Sequence, residues 1–305
     1  MKARPRILLD CDPGIDDAFA IMVALRFSEL VAVTTVAGNV SVDKTTRNAL
    51  WVLELANASH VPVHQGAASP LNASAVWAEE IHGVSGLGTL DVPEPKTPAS
   101  EVSAQDAILQ HCSAGDAIIV AVGPLTNIAL ALQADPSLAG RIGHLHWMGG
   151  SAQGGNTTPY AEFNAHFDPE AVAVVLASGC PFSMYGLDLT YQVRLNDADI
   201  DSLREANTQT GTHLGDFLSY YRSTASPGEV GQPIHDACAV LGTTHPDLFE
   251  RAPSRIVCET VAADKRGQTT VLEVQESHHT HVSTVDAQSA RELIISSATN
   301  PEPQS

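Results

Sequence analysis

The stretch 6–19, Arg-Ile-Leu-Leu-Asp-Cys-Asp-Pro-Gly-Ile-Asp-Asp-Ala-Phe, restricts the folds open to this chain more than any other. Ile7, Leu8 and Leu9 form a short apolar run of the kind that makes a strand buried on both faces, and Pro13-Gly14 forces a turn after it. Asp16 and Asp17 then open an apolar-rich helix through Ala18, Ile21, Met22 and Leu25. Strand, tight turn and helix in this order begin an α/β sheet, and they put the loop at the carboxyl end of a strand, where open sheets bind ligands. Four carboxylates, Asp10, Asp12, Asp16 and Asp17, crowd into that loop within eight residues. A helix N-terminus favours acidic residues, which accounts for Asp16 and Asp17 but not for the other two. Charges so close repel one another unless protons or a cation neutralise them, and a hard, oxygen-seeking metal ion does so.

The same alternation continues along the chain. Strand-like segments at 31–36, 61–64, 117–122, 142–148 and 182–185 alternate with helical ones at 42–56, 104–113, after Asn127 and after Asp168-Pro169. Such alternation predicts an α/β fold with an open, mostly parallel sheet and helices on both faces. Beyond Asp197 the pattern predicts helices over 201–208 and 213–222 and one opening at His235-Asp236. A strand pair over 255–261 and 268–275, a closing helix at 288–298 and a loose tail from Asn300 follow. The irregular stretch 67–103, with its glycine-rich run 82–88, reads as an active-site loop or a surface excursion rather than a linker, because alternation resumes after it. No repeat, low-complexity block or composition break divides the chain, so 1–305 reads as a single domain.

Charge and composition exclude several partners. The formal charge of −19, from 16 basic and 35 acidic residues, argues against nucleic acid and against an anionic membrane surface. Nothing approaches an 18-residue apolar span, and the apolar run after the basic N-terminus is too short for a signal-peptide core. Cys11, Cys112, Cys180, Cys238 and Cys258 are odd in number, scattered and without a Cys-x-x-Cys, as in reduced cytosolic proteins. A cytoplasmic protein is expected.

Polar residues recur where the predicted strands end: Asp12, Asp16 and Asp17 after the first, Asn39 after the second, and the turn 122–127 after a later one. Asn156, Glu162 and Asn164 follow Met148, and His235 and Asp236 stand at a helix start. A parallel sheet brings such positions to one edge. Each also has an ordinary reading: Asn39 as a turn residue, Asn127 as a helix-end partner, Asp236 as a cap. His278, His279 and His281 read as a solvated surface rather than a metal site.

Six segments together, Asp10-Cys-Asp-Pro-Gly-Ile-Asp-Asp17, Val36-Ala-Gly-Asn39, Gly123-Pro-Leu-Thr-Asn127, Met148-Gly-Gly150, Ala161-Glu-Phe-Asn164 and His235-Asp236, resemble the nucleoside hydrolase family in order and spacing. The resemblance covers essentially the whole chain. Within the family, the stretch 34–50 and Tyr221-Arg-Ser223 most resemble the non-specific ribonucleoside hydrolases. It implies a Rossmann-like nucleoside hydrolase fold and a homo-oligomer, tetramer or dimer. It also implies a Ca²⁺ site made by Asp12, Asp17, Asp236 and the carbonyl of Val122, with Asp12 doubling as general base on a water held by the cation. Oxygen donors of this kind suit calcium, which takes about 6–8 of them. Asp16, Asn39, Asn156, Glu162 and Asn164 would hold the ribose hydroxyls, and Phe163 would stack on sugar or base. His235 would assist the leaving base and His82 would lie near it, while Asp10 and Asp188 would support the site from behind.

The implied reaction is hydrolysis of the N-glycosidic bond of purine and pyrimidine ribonucleosides to free base and ribose. A pyrimidine-selective enzyme of the same family is the nearest alternative. Two features bear on base preference: the loop 223–232 carries no aromatic, and Val84 stands where close relatives often have Glu. A phosphotransferase is weakened by the absence of a Walker-type loop and by lysine-poor motif loops. A non-catalytic nucleoside-binding protein would keep Asn39, Glu162 and Asn164 but need neither Asp12 as base nor His235.

Overall fold

The computed structural model describes residues 4–73, 75–115, 117–225 and 228–301. Its strands are β1 (Arg6–Cys11), β2 (Glu29–Thr35), β3 (Val63–Gln65), β4 (Ala117–Ala121), β5 (Ile142–Met148), β6 (Phe182–Tyr185), β7 (Arg194–Leu195), β8 (Gln232–Pro233), β9 (Phe249–Cys258), β10 (Thr269–Glu273) and β11 (His279–Val285). The helices are α1 (Ile15–Phe27), α2 (Val42–Leu55), α3 (Glu79–His82), α4 (Ala104–His111), α5 (Thr126–Ala134) and α6 (Phe163–Phe167). After these come α7 (Pro169–Ser178), α8 (Leu187–Thr190), α9 (Asp197–Glu205), α10 (Gln209–Ser223), α11 (Asp236–Thr244) and α12 (Ala287–Thr299).

Among the described residues nine strands form one sheet in the order β10-β9-β11-β6-β5-β4-β1-β2-β3, and β7 pairs with β8 apart from it. Neighbours from β3 to β11 run parallel, and β9 and β10 add an antiparallel margin. The apolar run of β1 is buried from Ile7 to Cys11, as a central strand covered on both faces must be. One apolar cluster fills the face under α1, α11 and α12; a second, with Trp147 and Phe182, fills the face under α5 and α7. The chain order reverses between β1, which leads outward to β2 and β3, and its other neighbour β4. That reversal opens a crevice at the carboxyl ends of β1 and β4, and Asp12 and Val122 leave their strands there.

The expected alternation is present, with differences in detail. The helices expected at 201–208 and 213–222 both begin earlier. Asn196 accepts the Ala198 N–H and starts α9, and Thr208 accepts the Gly211 N–H and starts α10. The His-rich segment, read as solvated surface, divides: His278 is exposed, His279 is half-buried, and His281 is buried on β11, which is inserted between β6 and β9. Of the expected loose tail, 302–305 lies outside the described residues, whereas the carbonyl of Asn300 accepts a 2.7 Å bond from Arg26 and Pro301 is buried. All five cysteines are buried and unpaired. Among the described residues no helix is long and apolar enough to cross a membrane.

Candidate active site

A cavity of about 350 Å³ opens at the carboxyl edge of the sheet, a volume suited to a small ligand. Its floor is the turn between β1 and α1. The backbone N–H groups of Asp12 and Gly14 donate to the two oxygens of Asp17 at 3.1 and 2.9 Å, closing the turn on itself. Asn39, just beyond β2, donates its backbone N–H to Asp12 Oδ2 at 2.7 Å and its amide to Asp17 Oδ2 at 3.1 Å. A Cβ at Gly38 or Gly123 would collide with the Asp12 carboxylate, so both glycines are what lets the ends of β2 and β4 close around it.

One ligand oxygen from each of Asp16, Asp17 and Asp236 falls within 4.8 Å of the others. All three and Asp12 are buried, and the charges acting on each are chiefly those of the rest. Burial, then mutual repulsion, pushes Asp16 up to about 8 and lifts Asp12 and Asp236 well above the ordinary aspartate value. Asp17 is pushed up by burial to about 6, its backbone donors holding it lower. The donors are all oxygen, mutually repelling and withdrawn from water, which is the chemistry that a hard divalent cation satisfies. The residues present therefore fit such an ion.

Beside the floor, Glu162 caps α6 and accepts backbone N–H groups from Gly150, Asn164 and Ala165 at 2.8, 2.9 and 3.0 Å. Burial still pushes it up to about 7. The Asn164 amide donates to the carbonyls of Val122 and Met148 at 2.9 and 3.1 Å, tying the ends of β4 and β5 together. Asn156 lies at the exposed rim and accepts the Phe163 N–H at 2.9 Å, while the half-buried Phe163 ring packs on Phe167.

Two buried imidazoles also line the cavity, next to the floor. His82 Nδ1 accepts the Ile15 N–H at 3.1 Å, which leaves the proton of a neutral ring on Nε2. His235 Nδ1 pairs with the Thr190 hydroxyl at 2.7 Å. Burial pushes His82 down to about 4 and His235 to about 3, so both stand neutral near pH 7. Tyr221 lies against His82 with ring centres 5.6 Å apart, and Tyr191 meets His235 edge-on at 5.4 Å.

The model of the family described as inosine-uridine preferring nucleoside hydrolase matches residues 7–292. A pyrimidine-specific ribonucleoside hydrolase RihA from Shewanella baltica is 40% identical over 286 residues, which cover 92% of this chain and 90% of that one. The chain belongs to the nucleoside hydrolase family. Among solved structures, a purine-preferring ribonucleoside hydrolase from Gardnerella vaginalis superposes with a TM-score of 0.92 at 29% identity, covering 97% of this chain and 98% of that one. A plant nucleoside hydrolase, the PpNRh1 enzyme, does so with a TM-score of 0.91 at 28% identity, covering 97% and 99%.

In this hydrolase Asp12, Asp16, Asn39, His82, Val122 and Asn156 all line the cavity, as do Glu162, Phe163, Asn164, His235 and Asp236. Asp17 lies beneath the floor, bonded to its turn. The tightest carboxylate trio contains Asp16, which the sequence assigned to ribose, rather than Asp12. Asp10 backs the floor, accepting from Thr34 and from the Asn127 amide at 2.8 Å, and burial pushes it up to about 7. From the first turn of α5, Asn127 thus ties together β1 and the end of β2, donating also to the Thr35 carbonyl at 3.0 Å, rather than serving a helix end. Asp188 lies outside the cavity and pairs with His281, which is buried, contrary to its reading as solvated surface. The loop 223–232 has no aromatic, and Tyr191, Tyr221 and Trp77 supply aromatic walls from elsewhere. No pattern singled out Tyr191, although it follows the end of β6 on the same sheet edge. Gln232 was missed too: it sits on two-residue β8, too short to leave a pattern.

Proposed function

We propose that this hydrolase cleaves the N-glycosidic bond of ribonucleosides, releasing nucleobase and ribose, with Ca²⁺ held in the acidic floor. The observation that carries this reading is one cavity lined both by an oxygen-only carboxylate floor and by two neutral imidazoles. Asp12, Asp17, Asp236 and the Val122 carbonyl would hold the ion, with Asp16 close enough to share it while facing the sugar. Bound there, the cation supplies Lewis acidity that makes water easier to deprotonate.

Asp12, lifted by burial and repulsion, has the proton affinity of a general base and takes the proton of the attacking water. Asn39, Asn156, Glu162 and Asn164 hold the ribose hydroxyls, and Phe163 covers the sugar. The floor carboxylates stabilise the positive charge that develops at C1′. Water enters from the floor as the base leaves on the other side, which inverts the anomeric centre. The departing base accumulates negative charge, and His235 and His82 meet it as neutral N–H donors.

The sequence pattern implied both purine and pyrimidine substrates. A pyrimidine preference is favoured by the name of the RihA relative at 40% identity. Free-base release from uridine, cytidine, inosine and adenosine, each beside its 2′-deoxy form, tests both levels. The expectation is hydrolysis of the ribonucleosides, fastest for the pyrimidines, with deoxy forms slower by up to ~10⁴-fold because a site built to bond a hydroxyl rejects its absence. No base release from any ribonucleoside with Ca²⁺ present would refute the reaction, and purines cleaved as fast as pyrimidines would refute only the preference.

A further inference from the structure

Asp188 and His281 lie outside the cavity, yet they reach Glu162 through the turn 149–152 that leaves β5. Asp188 stands in the first turn of α8, just past β6, and His281 on the adjoining strand β11. His281 Nε2 donates to Asp188 Oδ2 at 2.7 Å, while Asp188 Oδ1 accepts the Ala152 N–H at 2.9 Å. Two further ties hold the same turn. The Leu187 N–H donates to the Gly150 carbonyl at 3.0 Å, and the Thr269 hydroxyl bridges Ser151, accepting its N–H and donating to its carbonyl at 2.7 Å each. Gly150, so held, donates its own N–H to Glu162 Oε2 at 2.8 Å. Burial works against the Asp188 charge, but bonds from His281 and Ala152 hold the group below the ordinary aspartate value. It therefore acts as a charged acceptor, the stronger kind.

Of the three backbone donors to Glu162, those of Asn164 and Ala165 come from its own helix, and only that of Gly150 comes from another part of the fold. That third bond sets the carboxylate relative to the sheet edge, and hence to the sugar. We propose that Asp188 and His281 are positioning residues that fix Glu162 through the turn 149–152 and so set how strictly the enzyme reads one sugar hydroxyl. The inference rests on the reading of Glu162 as a ribose contact.

The test compares kcat/KM for uridine with its 2′-, 3′- and 5′-deoxy analogues in wild type, Glu162→Gln, Asp188→Asn, His281→Ala and the Asp188→Asn/Glu162→Gln double variant. Glu162→Gln is expected to erase the discrimination at one hydroxyl. Asp188→Asn and His281→Ala are expected to narrow it at that same hydroxyl by about tenfold, the scale of one charge-assisted bond, and to leave the other two ratios alone. The double variant is expected to match Glu162→Gln, because residues acting through one contact are not additive. His281→Gln retains an N–H donor and serves if Asp188→Asn does not fold; it is expected to narrow the ratio less than His281→Ala does. Variants that slow all four substrates equally, or add fully to Glu162→Gln, would overturn the positioning role alone. Unchanged ratios in Glu162→Gln would overturn the ribose reading and the inference with it.

Discussion

At the floor of the cavity, Asp12, Asp16, Asp17 and Asp236 are buried and fixed by backbone donors and glycine-lined approaches. At the rim, Val76 and Trp77 stand on the loop before α3 and are 72% and 37% exposed, and Glu229 stands on the loop before β8. The floor is assembled from strand ends and helix starts, so its geometry is set by the sheet. The rim belongs to loops that connect these elements and stand more exposed than the floor. On the function proposed above, the difference separates two tasks: bond cleavage at the sugar would belong to the scaffold, and choice of base to the loops.

Changes to the floor are expected to have the largest effects. Asp12→Asn should lower kcat on every ribonucleoside by ~10⁴, the upper end for loss of a general base, without altering the ranking of bases. A changed ranking in initial-rate assays would show that floor and rim are not separate. His235→Ala, on the wall between them, should cost ~10²–10⁴. Cleavage of uridine and inosine at near wild-type rates would remove His235 from the reaction.

A second contrast concerns pH. Asp10, Asp16 and Asp17 are raised by burial to about 7, 8 and 6, and Asp12 and Asp236 are also raised. Folded-state values above the unfolded one mean that the native state holds extra protons. Their stabilising contribution is complete below ~pH 4 and is lost as pH rises through 6–8. Thermal melts of chelated protein should therefore show Tm falling from pH 5 to 8.5, and Ca²⁺ should restore it at the alkaline end. A flat profile for the chelated protein would contradict the charge-crowded floor.

The smallest effects are expected at the rim. Tyr191→Leu removes the ring against His235 and should shift the uridine-to-inosine ratio of kcat/KM by about tenfold or less, the scale of an aromatic contact of ~0.5–1.5 kcal/mol. An equal effect on both substrates would place Tyr191 with the chemistry instead.

The same division decided what could be read from the chain. The β1–α1 turn was legible because burial makes Ile7 to Leu9 apolar and the site packs its aspartates into one loop. Asn39 and Glu162 were legible because they end strands or start helices. Tyr191 and Gln232 lie where no periodicity or turn chemistry marks a side chain that faces a cavity. His281 was misjudged for a related reason: it closes the polar run His278-His279-Thr280, and only the insertion of β11 beside β6 buries it against Asp188. Asp16 was assigned to sugar alone because its approach to Asp236 depends on the packing of α1 on α11.

The most direct test titrates exhaustively chelated protein with CaCl₂ by calorimetry while following uridine cleavage in the same samples. One ion per chain should bind, with activity rising in parallel from near zero, and Asp236→Ala should abolish both. Uridine cleavage that persists undiminished in the chelated protein, or calcium binding untouched by Asp236→Ala, would contradict a floor built to hold the ion.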